Sequence, residues 1–168
     1  MRTARWALAA LALALLVSDT RLFTHPPVAP AQAPARGDDP QETHLRNLRM
    51  LTDGGENAEA YFSFDGRRLI FQATPASGGC DQIYTMNADG TGRTLVSTGK
   101  GRTTCAYFFP DGRSIVYGST HAASAACPPK PGFDQGYVWP VYASYDIYRA
   151  NEDGSNLRAL TSTPGYDA

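Results

Sequence analysis

Apolar residues along this chain come in short runs rich in Tyr and Phe, a pattern that leans towards strands. "AYFSFDGRRLIFQAT" at residues 60–74 and "AYFFPDGRSIVYGST" at residues 106–120 each set apolar runs on both sides of an Asp-Gly pair. Such a pair predicts a tight hairpin, because Gly reaches the left-handed backbone and Asp bonds to nearby amides. "RLIFQAT" and "SIVYGST" each carry three consecutive apolar residues near their start, as strands buried on both faces do.

The two stretches are copies at a fixed offset of 46 residues. A second hairpin signal follows each, "DQIYTMNADGTGRTLVST" and then "YDIYRANEDGSNLRALTS". One repeat is therefore strand A, Asp-Gly turn, strand B, loop, strand C, Asp-Gly turn, strand D. A fixed period of this length predicts an all-β fold, a β-propeller of four-stranded antiparallel blades. A β-sandwich could be built from the same hairpins, although it does not require its halves to share a sequence. "NLRMLT" at residues 47–52 matches "NLRALT" at residues 156–161 and so reads as an orphan D strand ahead of two blades. With the start of a third blade after residue 161, about two and a half blades are present. Propellers typically use four to eight, so the sequence reads as part of a larger ring.

Composition adds compartment and excludes partners. Arg2 and Arg5 precede an apolar run at residues 6–17, long enough for a signal peptide and too short for a comfortable membrane span. The reading is a signal peptide over residues 1–31, a disordered Pro/Ala-rich linker over 32–44, and the propeller over 45–168. That places the protein in the periplasm or outside the cell, with no membrane span in the mature chain. A net charge of −1 gives no electrostatic footprint for nucleic acid.

"SFDGRRLIF" and "FPDGRSIVY", followed by the Ile-Tyr pairs, the Asn-x-Asp-Gly turns and Leu-Thr, resemble the repeats of TolB-like β-propellers. The resemblance covers residues 47–168. It implies a non-catalytic scaffold that binds a protein or cell-envelope ligand through one face. The same repeat occurs in prolyl-oligopeptidase-type peptidases, so the alternative is a gating propeller whose catalytic domain is absent from this chain. No Gly-x-Ser-x-Gly elbow and no phosphate loop appears, and no cofactor, metal or catalytic residue is assigned.

The most functional-looking segment is an insertion between strands B and C of the second repeat, residues 121–144, which makes that repeat 18 residues longer. Its prolines stiffen the backbone and His121, Phe133, Tyr137, Trp139 and Tyr142 supply recognition surface. Glu56, Asn57 and Glu59, read as lying just before strand A of blade one, join them as ligand candidates at the channel mouth, with Thr103 and Thr104 in the matching positions of blade two. Cys80, Cys105 and Cys127 all fall on that same end of the ring. In an oxidising compartment one disulfide is expected. Cys105–Cys127 within a blade and Cys80–Cys105 between blades are both open.

Overall fold

The computed structural model describes residues 41–134 and 136–168. The signal peptide and most of the linker expected over residues 1–44 lie outside the described residues. Two antiparallel four-stranded sheets follow one another in the chain. The first contains β1 (Glu56–Phe62), β2 (Arg68–Thr74), β3 (Gln82–Asn87) and β4 (Thr94–Leu95), in that spatial order. The second contains β5 (Thr103–Phe108), β6 (Ser114–Ser119), β7 (Asp146–Asn151) and β8 (Arg158–Ala159), again in sequence order. The fold is all-β among the described residues, and no helix there is long and apolar enough to cross a membrane.

The Asp-Gly turns work as their composition predicts. Asp65 Oδ1 accepts from the Arg67 amide at 3.1 Å, and Asp111 Oδ1 from the Arg113 amide at 2.9 Å. In the C–D turns Asp89 and Asp153 each accept from a backbone amide two residues on, at 2.9 Å in both copies. Hydroxyl donors (Ser63, Thr91, Ser155) hold the carboxyls of Asp65, Asp89 and Asp153 below the usual range, and the Arg113 amide does so for Asp111. All four are structural.

Strand D is shorter than its apolar run suggests. After two paired residues the amides of Val96 and Ser97 converge on one carbonyl, that of Ile83, and Leu160 and Thr161 converge in the same way on Ile147. The side-chain oxygens of Ser97 and Thr161 then accept the strand-C amides of Ile83 and Ile147, each at 2.9 Å. This substitution of side chain for backbone explains the hydroxyl residue closing each D segment. The leading copy, "NLRMLT", is not a continuous strand; only Arg49 forms a bridge. Its Asn47 nevertheless shares a positive φ, 55°, with Asn156 at 53°.

Strand A carries a repeated bulge. Its register shifts between Ala58 and Tyr61, and again between Thr104 and Tyr107. The bulged residues Glu59 and Cys105 adopt φ of 52° and 50°. Such values are uncommon for non-glycine residues and are held by the flanking ladder. Glu56, Asn57 and Glu59 thus lie inside β1, and Thr103 and Thr104 inside β5, not before them. The Asp-Gly turn alone marks where strand A ends, and nothing in the sequence marks where it starts.

The blades stack face to face. One core joins Ile70, Ile83 and Val96 of the first blade to Ala106, Phe108, Ile115, Tyr117, Tyr148 and Ala150 of the second. The other face of blade one repeats this arrangement: Leu69, Phe71, Ala73 and Met86 pack with Leu51, which stands where Val96 stands one repeat later. A Cβ at Gly90 would meet Leu51, and one at Gly154 would meet Val96. Ion pairs at 2.6 Å close both ends of the seam, Arg68–Glu152 at one and Arg102–Asp81 at the other. On the far face of blade two the equivalent Val116 and Ile147 are half-buried and Leu160 is exposed. The Asp167 amide donates to Tyr145 O at 3.1 Å as the Thr103 amide donates to Asp81 O at 3.0 Å, so residues 166–168 continue the pattern of a strand-A start.

Candidate functional site

The insertion is irregular but tied down. Cys127 is disulfide-bonded to Cys80, with their Cα atoms 5.7 Å apart, so its base is stapled to blade one. The Gly101 amide donates to Ala125 O at 3.0 Å, and Tyr142 Oη donates to Pro129 O at 2.6 Å. This pairing replaces both arrangements expected from the sequence, Cys105–Cys127 and Cys80–Cys105. The bulge is the reason. It places the Cys105 thiol 3.4 Å from Thr104 Oγ1 and beside Glu59, while Cys127 comes over the B–C loop of the neighbouring blade. Cys105 is a free, half-buried thiol, and burial pushes its pKa up.

Between the insertion and the seam lies a cleft of about 430 Å³. The insertion contributes Lys130, Phe133, Tyr137, Trp139 and Tyr142. The opposing wall comes from strand-A starts, β2 and B–C loops: Glu56, Gln72, Asp81, Arg102, Tyr145 and Tyr166. Glu56, Arg102 and Tyr166 occupy the same position in three successive repeats. Tyr137, Trp139 and Phe133 remain 79%, 55% and 54% exposed, so their rings are not absorbed into the blade. Tyr145 is buried, packs edge-on against Tyr166 at 5.5 Å, and burial raises its pKa far above the phenolic norm. A larger groove of about 520 Å³ crosses the other end of the seam, but no aromatic lines it and its Arg68 is already paired with Glu152.

Seven of the residues singled out from sequence therefore line one cleft: Glu56, Thr103, Thr104, Phe133, Tyr137, Trp139 and Tyr142. Three do not. Asn57 donates its amide to Gly54 O at 3.0 Å and fixes the turn before β1, leaving Glu56 and Ala58 to line the cleft. Glu59 sits on the bulge beside Cys105. His121 packs on Tyr148 at 4.3 Å between ring centroids, with Nδ1 at 2.9 Å from Ser119 Oγ. Asp81, Arg102, Lys130, Tyr145 and Tyr166 were missed. The equivalence of residues 56, 102 and 166 was the one signal that could have found part of this set.

The environment of His121 has a consequence for pH. Burial pulls its pKa down, reinforced by Lys100 and opposed by Asp146. The neutral ring is thus the form the fold prefers. Its stabilising contribution is complete above the unfolded pKa of about 6.5 and is lost as pH falls through the lower folded value. The melting temperature is expected to decline from about pH 6.5 downward, and His121→Gln should flatten that part of the profile. An unchanged decline in the variant would remove His121 from the account.

No protein-family model and no curated protein matches the chain. Among solved structures, an Agrobacterium tumefaciens protein provisionally assigned as TolB superposes with a TM-score of 0.53 at 22% identity, covering 70% of this chain. The match spans 38% of that structure's own length. The likeness, with the repeated four-stranded sheets, shows that this chain has the TolB-like β-propeller fold.

Proposed function

We propose that this chain is an exported, non-catalytic propeller module that binds a protein or cell-envelope ligand through the face carrying the insertion. The observation that carries the reading is the set of exposed rings, Phe133, Tyr137 and Trp139, held against the strand-A starts by a disulfide and proline-rich backbone. A rigid aromatic surface gains contact area on binding at little cost in ordering entropy. The Cys80–Cys127 disulfide supports export, since such bonds persist in oxidising compartments.

Co-sedimentation of the purified chain with washed bacterial envelopes tests the proposal. The wild-type chain is expected to pellet with them, and Tyr137→Ser/Trp139→Ser to remain at least tenfold more in the supernatant. The melting temperature should be unchanged, because both side chains are exposed. Equal pelleting of the two proteins would discard the cleft as the reader. A variant that unfolds would show that the rings serve the fold.

A further inference from the structure

The walls of the cleft indicate what class of ligand it takes, on the reading that this face binds. We infer that the cleft binds a neutral oligosaccharide, with the apolar faces of pyranose rings on Trp139, Tyr137 and Phe133 and hydroxyls on the opposing polar wall. Charge is the first argument. Glu56 and Asp81 are matched by Arg102 and Lys130 across the cleft lining, so no net field selects an anion or a cation.

The second argument is which polar groups are free to be read. Backbone amides on the wall are already engaged: Thr103 to Asp81 O at 3.0 Å, Asp167 to Tyr145 O at 3.1 Å, and Arg102 to Thr120 Oγ1 at 2.9 Å. An extended peptide added by strand pairing needs such groups open. What the wall offers instead is side chains. Among the described residues Glu56 and Lys130 form no ion pair. Gln72 accepts at Oε1 from Thr104 Oγ1 and the Cys105 amide, each at 3.3 Å, which leaves its NH₂ group to donate. The Arg102–Asp81 pair presents further donors and acceptors at the cleft.

The third argument is shape. Flat rings on one side and carboxylate, carboxamide and guanidinium groups on the other match a ligand with apolar C–H faces and a rim of hydroxyls. A wholly apolar ligand would strand the polar wall without partners. The volume of about 430 Å³ is in the range of small-ligand sites, enough for a few units of a chain.

The test uses the full chain with cellotetraose, maltotetraose and chitotetraose, and with hexaproline as the peptide comparator. Binding is followed by calorimetry and by tryptophan fluorescence, with Trp139→Ala giving the contribution of Trp6, the other tryptophan. At least one tetrasaccharide is expected to bind and shift the emission to the blue. Trp139→Ala should weaken that binding at least tenfold and Glu56→Gln severalfold. Phe64→Ala, which removes a more exposed ring at the far turn, should bind as the parent does. Binding of hexaproline and of no saccharide would overturn the inference while leaving the cleft a binding site. So would saccharide binding indifferent to Trp139→Ala. If no saccharide binds while envelope co-sedimentation still depends on Trp139, the inference fails and the broader reading stands.

Discussion

Removing the Cys80–Cys127 bond is expected to lower stability by about 4 kcal/mol, the chain-entropy value for a loop spanning a sequence separation of 47. That loop contains β3, β4, β5 and β6, the strands on both sides of the seam between blades. Without the bond, the unfolded chain regains the freedom to separate the insertion from blade one. The folded chain keeps its strand ladders but loses the anchor at the base of the cleft. Urea unfolding of Cys80→Ser/Cys127→Ser against the parent measures the difference, and reduction of the parent should reproduce it. Cys105→Ser is the control: its thiol makes no disulfide, and burial disfavours the thiolate that would attack one. A loss under about 1 kcal/mol in the double variant, or an equal loss in Cys105→Ser, would show that the staple is not the one described. Binding at the cleft should weaken in the double variant even under conditions where the blades remain folded.

That staple also marks the boundary of what could be read from the sequence. The repeat offset and the Asp-Gly turns specify the blades, because each rests on local chemistry that a short window contains. Asp65 and Asp111 accept the amides their spacing calls for, and apolar runs such as "RLIF" and "SIVY" are buried on the faces of their sheets. The clustering of the insertion aromatics was legible for the same reason: proline-stiffened loops keep neighbouring side chains near one another. What was hidden depends on geometry between repeats. The bulges at Glu59 and Cys105 leave no composition signal, yet they seat Cys105 beside Glu59 and Thr104 while Cys80 and Cys127 pair. Arg102 and Asp81 are 21 residues apart and meet only because the start of β5 lies against the loop before β3. His121 looked like a loop ligand because it opens the insertion; it is a packing residue because its ring packs on Tyr148.

Gly154→Ala is expected to cost about 3 kcal/mol or more, and Gly112→Ala only about 1 kcal/mol, although both glycines sit in Asp-Gly turns with left-handed backbones. Their φ values are 84° and 62°, so the conformational penalty of adding a Cβ is shared. Space separates them. A Cβ at Gly112 meets nothing within 4 Å, whereas one at Gly154 would lie 2.5 Å from the carbonyl oxygen of Val96 on the neighbouring blade. Backbone cannot yield as the end of a flexible side chain can, and Val96 belongs to the core that joins the two sheets. Relief therefore requires the C–D turn of blade two to lift off blade one, taking with it Glu152, the partner of Arg68 across the seam. Denaturant midpoints of the two variants measure the contrast, and the Gly154 variant should also lose protection of the amides of Val96 and Ser97, which donate to Ile83 O. Equal costs for the two substitutions would mean that the blades do not depend on this contact, and that the fold is held by each sheet separately.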